Sequence, residues 1–458
     1  MIKKYSSLDF LFVSAILQAH ISIINTIYGA VVMELQYTHP RNILVQTLKT
    51  LYDYGMTTTS GGNLSIKDED GNIWITPGGI DKGSLRPEDI VRVAPDGSVH
   101  GLHKPSSELP FHKSVYQLRD DVKAVLHAHS PALVAFSLTR RMPDPTLIPS
   151  AARICGKVAF AKYEIPGSEA LGSIIAQEFA KGNDSVIMEN HGAVMAGKTI
   201  TEAFARFEAL DYVARIQINA ASFGGNIQPL EGKLPKCSFP EFIPDMVSAA
   251  ECELRDELAN FRARAYHQRL LFSGSAFLSA RLSDKDDFLI TPSNFDPMYL
   301  DAPGIVRMRM GMREAGKTPS TATPICRNIF NKCPWVNSIL MMRPPYIMAF
   351  AVTNHPIDSR TIPESYIMMR DVPMISSKEY FSDPDAVVKV LSPANPVVLI
   401  ENCGVLTTGK TILEAFDRLE VSEFTAKCII MASRLGELSP INDQQVADII
   451  EAFKLPTK

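Results

Sequence analysis

Apolar residues recur at helical spacing between Asn42 and Tyr54, where Ile43, Leu44, Leu48 and Leu51 share a face and Gly55 supplies the stop. The period then shortens. Leu64-Ser65-Ile66 and Asn72-Ile73-Trp74-Ile75 flank the polar turn DEDG at 68–71, which predicts a β-hairpin. Glycines 61, 62, 78 and 79 sit beside these strands, either as turn residues or where backbone N–H groups approach an anion. A further apolar run, Val122 to Leu126, leads into His127-Ala128-His129-Ser130-Pro131. Side chains alternate across a strand, so histidines at i and i+2 point the same way. Ser185-Val186-Ile187-Met188 ends in Glu189-Asn190-His191-Gly192, which sets a third histidine at another strand end. From Thr201 to Ala221 helical spacing returns, and Ala203, Phe204, Phe207, Leu210, Val213, Ala214 and Ile216 predict a core helix. Residues 223–244, rich in Gly and Pro, read as a linker between domains.

Beyond that linker the order repeats. ITP at 75–77 returns at 290–292, PSSE at 105–108 as Pro319-Ser320-Thr321-Ala322, and VLHAHSPALVAF at 125–136 as ILMMRPPYIMAF at 339–350. The last two offsets are both 214 (322 − 108; 341 − 127). ENHG at 189–192 returns as Glu401-Asn402-Cys403-Gly404, with GKTI and EAF following in both copies. Framework residues persist while four polar positions change together: Glu108 to Ala322, His127 to Met341, His129 to Arg343 and His191 to Cys403. Joint loss marks the four as one working unit in the first copy, and the second copy reads as non-enzymatic.

The chain has 458 residues, 46% of them hydrophobic, enough for two to three globular units. A net charge of −4 leaves no basic face for nucleic acid. Seven cysteines, an odd count without a CxxC pair, suit a reducing compartment, and a cytoplasmic protein is expected. Residues 1–32 complicate this, because Lys3-Lys4 precede an apolar region from Phe10 to Val32. Gln18, His20, Ser22, Asn25 and Thr26 interrupt it at positions costly for a membrane span, and no clear small-x-small cleavage site follows. Translation is expected to start at Met33, with a weak signal peptide or anchor as the alternative; no membrane partner is expected.

Two imidazoles on one side of a strand end can share a metal, although an isolated His-x-His pair is as readily an ordinary strand end. Lys104-Pro105-Ser106-Ser107-Glu108 adds a carboxylate and two hydroxyls. Three neutral imidazoles suit Zn²⁺ and leave a fourth position open, as in catalytic zinc sites. Such a Lewis acid stabilises an enediolate, and a carboxylate beside it can shuttle a proton.

The blocks GGNLSI (61–66), ITPGGIDKGSL (75–85), KPSSELPFH (104–112), VLHAHSP (125–131) and ENHG (189–192) fall in the order of the class II aldolase/adducin family, which the sequence resembles over roughly residues 38–222. That family includes fuculose-phosphate aldolases and ribulose-phosphate 4-epimerases. The resemblance implies an α/β fold in two tandem copies, each a mainly antiparallel sheet flanked by helices, with a catalytic domain at 33–222 and a degenerate one at 245–458. It implies His127, His129 and His191 as ligands of Zn²⁺ or another divalent cation, and Glu108 as the proton shuttle. It implies Asn63, Gly79, Ser106 and Ser107 as contacts to the phosphate of a small sugar phosphate. Where the family commonly carries Thr or Ser after the Thr-Pro of that loop, this chain has Gly78, so one hydroxyl is missing. The expected reaction is aldol cleavage, with an epimerase, a decarboxylase, a dehydratase or an adducin-like interaction module as alternatives. The resemblance also implies a four-domain ring made here by a homodimer, and a proton donor reaching in from a neighbouring subunit. The first copy has Leu147 and Ala152 near the places of that donor, whereas the second offers Tyr366, with Asp371 close behind.

Overall fold

The computed structural model describes residues 39–232, 237–283, 286–293, 295 and 300–456, so the apolar segment 1–32 and Met33 lie outside the described residues. Helix α1 (Pro40–Asp53) starts where the His39 ring accepts the Arg41 N–H and Pro40 supplies a first-turn residue needing no donor. Its face of Leu44, Leu48 and Leu51 is buried, as the spacing predicts. The hairpin follows as β1 (Asn63–Lys67) and β2 (Ile73–Ile75), antiparallel with Ser65 opposite Ile75. Then come β3 (Val91–Val93), β4 (Val99–His100), α2 (Leu109–Leu118), β5 (Ala124–Ala128), α3 (Pro131–Leu138), α4 (Pro149–Cys155), β6 (Val158–Ala161), α5 (Glu169–Ala180), β7 (Ser185–Met188), β8 (Gly192–Gly197) and α6 (Ile200–Ser222).

The first sheet runs β4-β3-β2-β1-β5-β8-β7-β6, and every pair except β6–β7 is antiparallel. Strand β5 lies inside it, between β1 and β8, with both faces covered. Ala124, Leu126 and Ala128 join the core formed with α1 and α6, while Val125 faces the core formed with α2 and α5. Period-two alternation therefore turns His127 toward α2.

The second copy follows as β9 (Glu241–Phe242), α7 (Ala249–His267), β10 (Phe277–Ser283), β11 (Asp287–Ile290), β12 (Val306–Arg309), β13 (Met312–Glu314), α8 (Thr323–Lys332), β14 (Ser338–Met342), α9 (Pro345–Val352), α10 (Pro363–Met369), β15 (Met374–Ile375), α11 (Ser377–Ser382), α12 (Ala386–Val390), β16 (Val397–Ile400), β17 (Gly404–Gly409), α13 (Ile412–Ala432) and α14 (Asp443–Phe453). Its sheet order, β15-β16-β17-β14-β10-β11-β12-β13-β9, reproduces the first with β9 added at one edge. The residues kept in both copies have backbone reasons. Asn190 and Asn402 both take the left-handed conformation (φ 53° and 54°), which Asn tolerates better than most residues. A Cβ on Gly192 or Gly404 would stand 2.6 Å from the carbonyl of Ala128 or Met342, so both turns need glycine.

The copies share one core, which runs from Leu44 through α6 to Ile430. Across the junction Tyr212 donates to the Leu271 carbonyl (2.8 Å), Arg269 pairs with Asp211 (2.7 Å), and the Asn402 amide donates to the carbonyls of Leu147 (3.0 Å) and Gln228 (3.1 Å). The Gly- and Pro-rich connection takes part. Gln228 N–H bonds the Val352 carbonyl, Gly225 packs on Thr353, and Glu241–Phe242 pair in parallel with β13.

Candidate metal centre and active site

Strand β5 ends at the face shared with α2, and β8 begins beside it, so His127, His129 and His191 meet. One ligand atom from each lies within 4.8 Å of the others. Among the described residues no other group of His, Cys, Asp or Glu does this. The ring centroids are 4.6, 4.8 and 5.0 Å apart, and His127 Nε2 is 2.9 Å from His129 Nε2. His127 Nδ1 donates to the Ala193 carbonyl (3.0 Å), which fixes the tautomer and leaves Nε2 as a lone pair aimed at the cluster. Burial, then the neighbouring His191, push His127 down to about 3. Burial, then His127 and His191, bring His129 to about 3 as well, and burial lowers His191 against the pull of Glu108. The imidazoles are thus held neutral, the form that binds metal.

Glu108 closes the group. Oε2 lies 3.4 Å from His127 Nε2, and Oε1 lies 3.6 Å from His191 Nε2. Oε1 is buried with no hydrogen-bond partner. Converging lone pairs and an orphaned carboxylate oxygen are the environment that a divalent cation satisfies. The residues therefore fit the metal that their types imply.

A chain of hydrogen bonds holds the other carboxylate oxygen. Asn63 Nδ2 donates to Glu108 Oε2 (2.6 Å), and His112 Nε2 donates to Asn63 Oδ1 (2.5 Å). Burial pushes His112 down to about 3, so its ring is neutral and Nδ1 accepts from Ser65 Oγ (2.7 Å). Ser65 Oγ in turn accepts from Tyr116 OH (2.7 Å). Every donor points toward Glu108, so the chain fixes the orientation of its carboxylate. Sequence reasoning missed His112, Ser65 and Tyr116 here. The signal lay in the repeat: at the same offset of 214 (277 − 63; 326 − 112; 330 − 116), Asn63, His112 and Tyr116 become Phe277, Cys326 and Phe330.

The residues expected at a phosphate divide in two. Ser107 and Gly79 are exposed, and Gly79 takes a positive φ of 71° with open space around it. Ser106 is buried, and its Oγ accepts the Glu108 N–H (3.3 Å), while both ends of the Asn63 amide are engaged with Glu108 and His112. The Gly78 N–H bonds the Lys104 carbonyl. Beneath this loop lies Lys82, unmarked by sequence reasoning, whose ammonium donates to the Pro77 carbonyl and whose pKa burial lowers to about 8. Tyr366 stands apart from the cluster, buried on α10 with the Arg370 guanidinium 5.1 Å above its ring.

Residues 42–218 and again 256–430 match the family described as Class II Aldolase and Adducin N-terminal domain. The chain belongs to the class II aldolase and adducin family. Similar proteins include the L-fuculose phosphate aldolase of Methanococcus maripaludis, 38% identical over 174 residues, which are 38% of this chain and 92% of that protein. The 3-oxo-tetronate 4-phosphate decarboxylase of Escherichia coli K12 is 32% identical over 180 residues (38% of this chain, 84% of that protein). The 5-deoxy-D-ribulose 1-phosphate aldolase of Bacillus thuringiensis serovar kurstaki is 34% identical over 187 residues (40% and 86%).

In the second class II aldolase copy the corresponding positions meet in the same way but with other chemistry. Phe277 stands opposite Met341 as Asn63 stands opposite His127. Burial raises the Cys403 thiol to about 12, and its neighbours at the places of His127 and His129 are a thioether and a guanidinium rather than imidazoles. Helices α4 and α10 correspond residue for residue, each seven residues long and each followed by a residue of positive φ (Gly156, 62°; Arg370, 58°). Tyr366 therefore occupies the place of Ala152 (366 − 152 = 214).

Among the described residues no helix is long and apolar enough to cross a membrane.

Proposed function

We propose that the first copy is a divalent-metal-dependent lyase that breaks the carbon–carbon bond next to the carbonyl of a small sugar phosphate. The observation that carries this reading is the convergence of His127, His129, His191 and the orphaned Glu108 oxygen in one copy only. A cation held by the three histidines, Zn²⁺ matching neutral imidazoles best, would supply Lewis-acid polarisation of a substrate oxygen. Asn63 orients Glu108 through Oε2, leaving Oε1 to take a proton from the substrate and return it to carbon. Ser106, Ser107 and the Gly79 amide are assigned to the phosphate, with Asn63 bridging that loop to Glu108. The proton that Glu108 takes is that of the departing hydroxyl, and Tyr366, on α10 of a neighbouring chain, is assigned as the phenol that hydrogen-bonds that oxygen while its proton passes, in a homodimer that closes a four-domain ring. Seven cysteines, an odd count without a CxxC pair, support a cytoplasmic location.

A second reading is decarboxylation of a phosphorylated 3-oxo acid, favoured by the likeness to a decarboxylase. It uses the same residues and differs in the bond broken. The metal-loaded chain assayed against ketose 1-phosphates and phosphorylated 3-oxo acids separates the two: aldehyde release supports the first, carbon dioxide release the second. Turnover should fall by about 10²-fold or more in Glu108→Gln. Absence of both products across such a panel would remove the lyase reading.

A further inference from the structure

Where the first copy has its metal centre, the second keeps a cavity of about 320 Å³. Met341, Arg343 and Cys403 line it in place of the three histidines, and Ser320 and Thr321 line it in place of Ser106 and Ser107. One side of its wall comes from the other copy, because α4 turns Ser150 and Arg153 into it. Among the described residues no Asp or Glu lines the cavity. Burial raises the Cys403 thiol and the Tyr380 phenol, so the described wall carries two guanidinium groups and no carboxylate.

The polar atoms are arranged as donors. Arg343 gives one Nη1 hydrogen to the Ser275 carbonyl, while its Nε is buried without a partner. Ser150 Oγ is also buried without a partner. Ser320 Oγ accepts the Ala322 N–H (3.3 Å), which leaves its own hydrogen to donate. Helix α8 begins at this wall with no side-chain cap, so its N-terminal dipole faces the same space. Gly274, at φ +64°, makes room for Arg153, whose Nη2 would be 3.3 Å from a Cβ there.

We propose that this cavity is a metal-free site for a phosphomonoester, a small dianion bound between the two copies. Guanidinium groups match phosphate oxygens in charge and in fork geometry, and hydroxyls and a helix N-terminus supply the remaining donors. A volume of about 320 Å³ admits the phosphate with a short carbon chain and excludes larger nucleotides. Because Ser150 and Arg153 belong to one copy and Arg343, Ser320 and Thr321 to the other, the bound dianion ties the copies together. The site does not depend on the reaction assigned to the first copy.

The test is titration calorimetry of the full chain with inorganic phosphate. A Ser106→Ala, Ser107→Ala variant, altered at the first-copy positions, should still bind one phosphate per chain. Adding Arg343→Met to it should weaken that binding at least about tenfold while the metal content stays unchanged. No binding in the first variant, or equal affinity after Arg343→Met, overturns the proposal. Should Arg343→Met fail to fold, Ser150→Ala with Thr321→Val removes only hydroxyls and should weaken phosphate severalfold; unchanged affinity there also overturns it.

Discussion

Asn63 faces His127 across the β1–β5 ladder, and Phe277 faces Met341 across β10–β14 in the same register. The backbone relationship is kept while both side chains lose their polarity. Both members of the pair were thus exchanged together, and if His127 holds a metal and Asn63 orients Glu108, as proposed, the first copy's chemistry should fail at either one.

Asn63→Ala should lower turnover about 10- to 100-fold with metal still bound, since it removes the group that orients Glu108. Adding His112→Ala should cost little more, because both residues act through the same hydrogen bond. Steady-state kinetics of the single and double variants check this; fully additive losses would show that the two act separately.

One divalent ion per chain is expected by elemental analysis, falling to a trace in His127→Ala with His129→Ala. Two ions per chain would mean that the second copy also binds metal.

His112 gives the fold a pH dependence with a definite sign. Its folded pKa is held at about 3 by burial, against an ordinary value of 6.5. Between those values the unfolded chain binds the proton and the folded chain does not, so this contribution is full above pH 6.5 and is lost as the pH falls toward 3. The loss approaches about 1.4 kcal/mol per pH unit below 6. Urea denaturation of metal-free protein at pH 7 and 5 should show a steeper loss in the wild type than in His112→Gln.

Tyr366→Phe should leave the mass in solution at two chains and cut turnover by about 10² or more. Light scattering and kinetics read the two effects separately. Ser150 and Arg153 of α4 face the second copy's cavity, and Glu364, exposed, stands at the place of Ser150 on α10 (364 − 150 = 214). Unchanged turnover in Tyr366→Phe with a loss in Glu364→Gln would move the donor to Glu364.

Much of this was legible in the chain because apolar period reports which face of a strand or helix is buried. The Leu44–Leu51 face, the hairpin at 63–75 and the His127/His129 pair follow from it directly. The chain of bonds from Tyr116 to Glu108 does not, because it joins partners 45 to 51 residues apart whose polarity looks like ordinary punctuation in a strand and a helix. Nor does the second cavity, whose wall is split between copies. The connection at 223–232 misleads in another way: Gly and Pro signal the absence of regular structure, not of packing, and Gly225 lies against Thr353.

The continuous core between the copies makes their folding a single event. Neither half can expose its share of Phe207, Phe272, Phe350 and Phe416 to water without losing the burial that stabilises the other. A chain cut within the Gly- and Pro-rich connection should yield two halves with exposed apolar faces, and calorimetry of the intact chain should record one cooperative transition. The second copy is then half of a scaffold: its sequence departs from the first at Met341 and Cys403, yet stays answerable, through the apolar contacts at the junction, to the half that carries His127, His129 and His191.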